Sequence, residues 1–89
     1  MAWEIEITEG AKKQLDRLGH AEAKRVRDFL AKRLAPPDDP RQFGAALQGS
    51  RLGAYWRYRV GDYRVICDIQ DNRLVVVVVR VGHRREIYS

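Results

Sequence analysis

The sequence predicts a small α+β domain with the topology β-α-α-β-β-β, in which a helical hairpin packs on a mainly antiparallel four-stranded sheet. Three observations predict this class. Apolar and polar residues alternate at the start of the chain, two segments before residue 35 have helical spacing, and three segments after residue 54 have strand character. Because 89 residues are enough for about one small core, we predict a single domain over residues 1–89.

The first half of the chain is predicted to supply one strand and two helices. Apolar and polar residues alternate over residues 2–7, which predicts a strand with one buried face. Thr8 is a suitable N-cap for a first helix, and Gly19 is a natural C-terminal stop. A second helix is predicted from Ala21 to Leu34, before a pair of prolines. Its inner face comprises Ala23, Val26, Phe29, Leu30 and Leu34.

The second half is predicted to form an antiparallel meander. Residues 35–50 are rich in proline and glycine, which predicts a linker with short helical turns. Gly61-Asp62 and Asp71-Asn72 are typical of tight hairpin turns. These turns separate three predicted strands, Tyr55–Val60, Tyr63–Ile69 and Arg73–Val81. Since Leu74–Val79 lacks alternation, we expect it to form a central strand covered on both faces, one of them by the helices.

The composition argues against several classes of protein. With 45% hydrophobic and 33% charged residues, the chain has the composition of a globular domain. The longest apolar run, Leu74–Val79, is far shorter than the roughly 20 residues that span a bilayer, so we expect a cytoplasmic protein with no membrane partner. Cys67 has no second cysteine to pair with, and we expect it in the core. The sequence shows neither a cluster of metal ligands nor a Gly-rich phosphate loop, so we expect no metal and no cofactor.

The positive charge is concentrated in the second half of the chain. Residues 1–50 hold nine Lys or Arg against eight Asp or Glu, whereas residues 51–89 hold eight against four. All eight of these later basic residues are arginines. The planar guanidinium matches phosphate oxygens and stacks on bases, so this bias predicts a phosphate-binding surface. A genome rich in arginine codons is the alternative explanation.

Strand alternation predicts where that surface lies. Trp56, Tyr58 and Val60 fall on one face of their strand, which suits the core. Tyr55, Arg57 and Arg59 fall on the other. If neighbouring strands add Arg64 and Arg80 or Arg84, the guanidiniums form one cationic patch, beside which Tyr55 and Tyr88 can stack on unpaired bases. A solvated sheet face with arginines that oppose aggregation remains the alternative.

The last nine residues, 81–89, are rich in groups that can do chemistry. His83 changes charge near neutral pH and is suited to exchanging a proton during phosphodiester cleavage, although a surface histidine without a role is also compatible with the sequence. We expect Glu86 to be an ion-pair partner of a nearby arginine rather than a base.

The order of elements and two segments, Tyr55–Arg64 and Val81–Tyr88, resemble the RelE/ParE superfamily of bacterial and archaeal toxins. The resemblance covers essentially the whole chain and is closer to the RelE branch. It implies an mRNA endonuclease that enters the ribosomal A site and is held inactive by an antitoxin. Such cleavage uses the 2′-hydroxyl of the RNA as the nucleophile and needs no metal or cofactor.

The resemblance also implies roles for individual residues. Arg64 and Arg84 match the arginines that hold the scissile phosphate, and Tyr88 matches a C-terminal tyrosine that orients the substrate or assists proton transfer. Arg57 falls where RelE relatives carry a basic cluster, but arginine stays protonated and cannot act as a general base, which leaves His83 or Tyr88 for that step. Further substrate contacts are expected from Arg59, Tyr55, Arg80 and Arg85.

The implied partners are the ribosome, its mRNA and an acidic RelB-like antitoxin, with which the chain would form a hetero-oligomer. Two alternatives remain open at this point. One is a ParE-like poison of DNA gyrase that cleaves no RNA, and the other is a non-catalytic basic module that only binds RNA.

Overall fold

The computed structural model of the chain describes residues 2–36, 38–47 and 55–87. The predicted α+β class is confirmed, with a helical hairpin packed on a mainly antiparallel sheet. None of the helices in the described ranges has the length and apolarity needed to cross a membrane. The elements are β1 (Glu4–Ile7), α1 (Glu9–Arg17), α2 (His20–Phe29), a π-helical turn (Leu30–Leu34), a 3-10 turn (Pro40–Gln42), β2 (Ala45–Ala46), β3 (Tyr55–Val60), β4 (Tyr63–Gln70) and β5 (Val75–His83).

The sheet has five strands in the order β1-β5-β4-β3-β2, one more than the four predicted. Strand β1 runs parallel to β5, and the other neighbours are antiparallel. The additional strand, β2, lies in the segment predicted as a linker and has only two residues. It lies at the edge of the sheet, where Ala45 pairs with Arg57.

Contacts from β3 hold the segment that contains β2 in place. The indole Nε1 of Trp56 donates to the carbonyl oxygen of Phe43 at 2.6 Å, and the Tyr58 hydroxyl donates to that of Pro40 at 2.9 Å. Gly44 has a φ of +71°, and a Cβ there would collide with the Arg57 carbonyl oxygen, so only glycine fits. Tertiary contacts therefore order this segment despite its linker-like composition.

The helices begin and end close to the predicted positions. The Thr8 hydroxyl accepts a hydrogen bond from the Ala11 amide at 3.2 Å and caps α1 as expected. The predicted second helix is divided, because α2 ends at Phe29 and a π-helical turn continues to Leu34. Of the predicted inner-face residues, Ala23, Val26, Leu30 and Leu34 are buried, and Phe29 is half-buried.

The main core lies between the helices and one face of the sheet. Its sheet side includes Tyr58, Val65, Cys67, Val76 and Val78. Full burial of a large aliphatic side chain stabilises the fold by about 1.5–3 kcal/mol, so this layer dominates the folding energy. Burial also raises the pKa of the Cys67 thiol, and the expectation that Cys67 is a core residue is confirmed.

The two β-turns differ in length. Gly61 and Asp62 form the predicted two-residue turn between β3 and β4, and Gly61 has a φ of +61°. The turn between β4 and β5 spans Asp71–Leu74, twice the predicted length, with Leu74 at a φ of +53°. As a result, β5 begins at Val75 and ends at His83, two residues later than predicted at each end.

Strand β5 is central, as expected, and lies between β1 and β4. A β-bulge interrupts its pairing with β4: Ile66 pairs with Arg80 and Cys67 with Val78, so Val79 is the additional residue. The face turned away from the helices is covered only in part. There Val79 packs beside a small cluster of Leu47, Ile66 and Ile87.

Candidate functional site

Among the described residues, four arginines of β3, β4 and β5 share one end of the face of the sheet that is turned away from the helices, hereafter the open face. In β3 the predicted alternation is confirmed, because Tyr58 and Val60 are buried while Arg59 is exposed. The strand register pairs Arg59 with Arg64 and sets Arg57, Ile66 and Arg80 in one row. Three strands therefore contribute to one surface, the arginine face: Arg57, Arg59, Arg64 and Arg80.

The arrangement of these charges is unfavourable unless an anion is bound. Arg59 and Arg64 are direct cross-strand neighbours, and like charges in that position destabilise a sheet. Within the described residues, the side chains of Arg57 and Arg59 form no ion pair or hydrogen bond. A phosphate group accepts two parallel hydrogen bonds from a guanidinium and removes this repulsion. The geometry therefore suits a polyanionic ligand.

The turn between β3 and β4 fixes two further features of the site. The Arg64 side chain donates from Nη1 to the carbonyl oxygens of Gly61 and Tyr63, at 3.1 and 3.0 Å. The backbone amide of Arg84 donates to the carbonyl oxygen of Asp62 at 2.9 Å. Arg64 and Arg84 are thus tied to the same turn, and the Arg84 side chain is exposed.

The C-terminal turn, residues 84–87, folds back beside the arginine face. The amide of Ile87 donates to the His83 carbonyl oxygen at 3.0 Å, and the Ile87 side chain packs in the small cluster with Leu47 and Ile66. A Cβ on Gly82 would lie 3.1 Å from Ile87 Cδ1, so Gly82 provides the room for this packing. Arg80 Nη1 donates to the Ile87 carbonyl oxygen at 3.2 Å. Arg80, expected to contact substrate, thus holds the C-terminal turn.

His83 lies away from the arginine face. His83 pairs with Tyr63 of β4, and Tyr63 pairs with Val60 of β3, which belongs to the core under the helices. Because paired residues of neighbouring strands share a face, His83 lies on the side of the sheet that faces the helices. The two rings are in edge-to-face contact, with centroids 5.7 Å apart. Nδ1 of His83 accepts a hydrogen bond from the Arg85 amide at 3.2 Å, which leaves the proton of the neutral ring on Nε2.

The remaining predicted residues have different surroundings. Tyr55 is on the open face but is half-buried against the small cluster, so its ring is already packed. Arg85 is exposed on the C-terminal turn. Tyr88, expected to orient the substrate, lies outside the described residues.

The opposite end of the open face carries a neutralised network. Arg73 donates to the Gln70 amide oxygen at 2.6 Å and to the Glu6 carboxylate at 3.2 Å. Gln70 in turn donates to the Asp68 carboxylate at 3.0 Å. Here each of these charged groups has a polar partner, in contrast to Arg57 and Arg59.

A cleft of about 620 Å³ lies between α1 and the last residues of β5. Strand β1 ends at Ile7, opposite Val78, and no strand within residues 2–36, 38–47 and 55–87 pairs with this edge of β5 beyond that point. Gln14 of α1 compensates for the missing strand, since its Oε1 accepts from the Val81 amide at 2.7 Å. The polar lining comprises Gln14, Arg17, Tyr63, Arg80, His83 and Glu86.

Sequence analysis did not single out Gln14, Arg17 or Tyr63. On an amphipathic helix, a polar residue next to the apolar face cannot be distinguished by sequence from any other solvent-exposed polar residue. Only the distance between α1 and β5 distinguishes Gln14 from its neighbours. No local signal in the sequence marks this cleft.

Comparison with known proteins identifies the family. Residues 5–88 match the family model described as the ParE toxin of type II toxin–antitoxin systems. Among solved structures, the chain is similar to the RelBE2 toxin–antitoxin complex of Mycobacterium tuberculosis, with a TM-score of 0.84 and 27% identity over 97% of this chain and 95% of that one. It is also similar to the archaeal RelE–RelB complex of Pyrococcus horikoshii, with a TM-score of 0.73 and 26% identity over 97% and 99% of the two chains.

The intact RelBE complex of Escherichia coli shares the fold, with a TM-score of 0.71 and 23% identity over 92% of this chain and 96% of that one. A comparison with curated proteins finds no match. The family match spans nearly the whole chain, and the matched structures contain toxins of the RelE type. The chain therefore belongs to the RelE/ParE family and is a RelE-like toxin of a type II toxin–antitoxin system.

Proposed function

We propose that this toxin is a ribosome-dependent endoribonuclease that cleaves mRNA in the A site and so stops translation. One observation carries the proposal: the arginine face brings together guanidiniums from three strands. Among the described residues, none of these guanidiniums has a carboxylate partner. Such a surface suits the phosphate backbone of a single RNA strand. The likeness to RelE structures at 26–27% identity supports the same activity.

In the proposed reaction the 2′-oxygen of the RNA attacks the adjacent phosphorus. A bond forms between the 2′-oxygen and phosphorus, and the bond from phosphorus to the 5′-oxygen breaks, which leaves a cyclic phosphate and a 5′-hydroxyl. Arg64 and Arg84 stabilise the negative charge that develops on the phosphate oxygens. Arg57 and Arg59 hold flanking phosphates, with Arg85 and Tyr55 at the margin of the site. The step needs no metal and no cofactor.

Proton transfer is assigned to Tyr88 rather than to His83. His83 lies on the other side of β5, and its Nδ1 already accepts the Arg85 amide proton. With Nε2 protonated in the neutral ring, His83 would have to break that hydrogen bond to take up a further proton. Arg57 stays protonated and only stabilises charge. Of the residues for which the resemblance to RelE toxins implies a role in proton transfer, Tyr88 then remains. We assign to it the orientation of the 2′-hydroxyl or the exchange of its proton.

We further propose an acidic antitoxin as the physiological partner. The toxin carries a formal net charge of +5, and the solved RelE structures of two similar proteins are complexes with RelB. An acidic segment across the arginine face would neutralise Arg59 and Arg64 and exclude RNA. The resulting hetero-oligomer would be cytoplasmic, as translation is.

A translating extract tests the proposal directly. Adding the toxin and mapping mRNA ends by primer extension is expected to show cuts inside codons, while Arg84→Ala toxin is expected to leave most message intact because it lacks one charge at the scissile phosphate. Tyr88→Phe tests the proton-transfer assignment in the same extract. Intact message together with normal protein synthesis would contradict the proposal.

A second candidate function is poisoning of DNA gyrase, which the ParE description of the matched family favours. It predicts DNA damage with intact mRNA. The arginine face argues for the nuclease, because a gyrase poison has no need of guanidiniums aligned across three strands without a carboxylate partner among the described residues. A gyrase supercoiling assay run beside the extract separates the two functions.

A further inference from the structure

The cleft between α1 and the free edge of β5 has no part in the cleavage step described above. Its volume of about 620 Å³ falls within the roughly 300–1,000 Å³ of small-molecule sites. Its lining is largely polar, and it comes from three separate parts of the chain: α1, the end of the sheet and the C-terminal turn. The hydrogen bond from the Val81 amide to Gln14 joins α1 to the sheet. The bond from the Ile87 amide to the His83 carbonyl oxygen holds the C-terminal turn, so the cleft is built into the fold.

The groups that line the cleft are mainly hydrogen-bond donors, with the Glu86 carboxylate as an acceptor among them. The Oε1 atom of Gln14 is occupied by the Val81 amide, which leaves the side-chain NH₂ as its free group. His83 offers Nε2–H, since its Nδ1 accepts from Arg85. Arg17 adds a guanidinium from α1. Carbonyl oxygens and phosphate oxygens are the ligand groups that suit such a lining.

The cleft also offers aromatic rings. Tyr63 and His83 meet edge to face, and both rings belong to residues that line the cleft. Unpaired RNA bases bind proteins by stacking on aromatic side chains while their polar edges are read by hydrogen bonds. Among the four bases, guanine, cytosine and uracil carry a carbonyl oxygen, and adenine carries none.

The arginine face and the cleft are continuous around the end of β5. Arg80 belongs to the row of Arg57 and Ile66 on the open face and also lines the cleft. Gly82 and Ile87 border both regions in the same way. An RNA strand whose phosphates lie on the arginine face can therefore turn around this edge and place the next base in the cleft.

We propose that this cleft binds one unpaired nucleotide next to the cleavage site and gives the toxin a preference for a base with a carbonyl oxygen. The inference rests on the proposed nuclease function and extends it to sequence selection. Tyr63 supplies the stacking surface, Gln14 and His83 donate to the base, and Arg17 binds its phosphate.

Binding can be measured without cleavage. RNA trinucleotides with 2′-O-methyl groups cannot be cut, and four versions that differ in the 3′ base are titrated into ¹⁵N-labelled toxin. The amides of Val81 and His83 and the side-chain amide of Gln14 are expected to shift with guanine, cytosine or uracil at that position, and to shift least with adenine. Arg17→Gln and Tyr63→Leu are each expected to weaken binding about fivefold or more, the scale of a single stacking or phosphate interaction. Tyr63→Phe retains the ring and is the matched control.

Two results overturn the inference: chemical shifts confined to the open face, or no binding of any trinucleotide. The extract assay then separates this inference from the nuclease proposal. If wild-type toxin cuts mRNA but Tyr63→Leu leaves the bases around the cuts unchanged, the cleft is not a base-selecting site, while the nuclease proposal stands. If the trinucleotides shift the cleft residues but the wild type cuts no mRNA, the nuclease proposal fails and nucleotide binding by the cleft remains.

Discussion

The two ends of the open face use charged residues in opposite ways. At one end Arg59 and Arg64 are cross-strand neighbours of the same sign, and Arg59 forms no ion pair within the described residues. At the other end Arg73 is joined to Glu6 directly and to Asp68 through Gln70. A paired network serves the fold, whereas a repulsive pair costs stability, a cost that the RNA ligand we propose would offset. The comparison separates structural from functional charge within one sheet.

The largest expected effect is a difference in mRNA cleavage between two variants, each of which lacks one arginine from one end of the open face. Arg64→Ala is expected to lower mRNA cleavage by about 10²–10³-fold, because it removes a group that we propose stabilises charge at the phosphate. Arg73→Ala removes an equal charge from the same face but is expected to leave cleavage nearly unchanged. Primer extension over a time course measures both rates. Equal losses in the two variants would mean that net charge alone, and not position, determines activity.

Charge reversal within the repulsive pair is expected to separate binding from stability. Arg59→Glu places a carboxylate opposite Arg64, so we expect the free energy of unfolding to rise by about 0.2–1 kcal/mol. RNA binding is expected to weaken, and the dependence of log K on log salt to become shallower by about 0.7 for each phosphate that the variant no longer neutralises. Urea unfolding and fluorescence anisotropy with a single-stranded RNA measure the two quantities.

The matched control for that variant is Arg73→Glu at the paired end. Its expected outcome is the reverse: lower stability, because the variant cannot form the bonds to Gln70 and Glu6, with little change in RNA affinity. If Arg59→Glu instead lowered stability, the repulsion between Arg59 and Arg64 would not be present in solution.

The smallest effect concerns acid stability near the paired end. Arg41 makes two hydrogen bonds of 2.8 Å to the Asp71 carboxylate, and they lower the pKa of Asp71 below its usual value. A carboxyl with a lowered pKa in the folded state adds stability above its unfolded pKa, and that stability is lost as the pH falls through the folded value. We expect wild type to exceed Asp71→Asn in urea midpoint at neutral pH and the two midpoints to converge below about pH 4. A difference that is constant with pH would contradict this assignment.

Local patterns in the sequence were sufficient to predict the faces of β3. Side chains of a strand alternate with a period of two, so Arg57 and Arg59 had to lie opposite the buried Tyr58. The caps and inner faces of the helices were also predictable from local patterns, because each depends on residues that are only three or four positions apart in the sequence. The arginine face therefore followed from alternation together with antiparallel pairing.

Long-range contacts account for what the sequence did not predict. Strand β2 contains two alanines with no strand signal, and it is positioned by hydrogen bonds from Trp56 and Tyr58 to carbonyl groups of the preceding segment. The run of valines in β5 gives no alternation from which to assign faces. The location of His83 was unpredictable because a bulge, with no mark in the sequence, precedes it.

That bulge at Val79 determines which later residues of β5 belong to the open face. The additional residue places Arg80 and Gly82 on the open face and turns His83 toward the cleft. A relative with the same spacing between Val78 and the histidine but with no bulge would present that histidine beside the arginines and turn the preceding arginine away. A structural alignment of such chains therefore needs a one-residue gap at position 79, and without it a histidine of the arginine face in one protein would be equated with a histidine of the cleft in another.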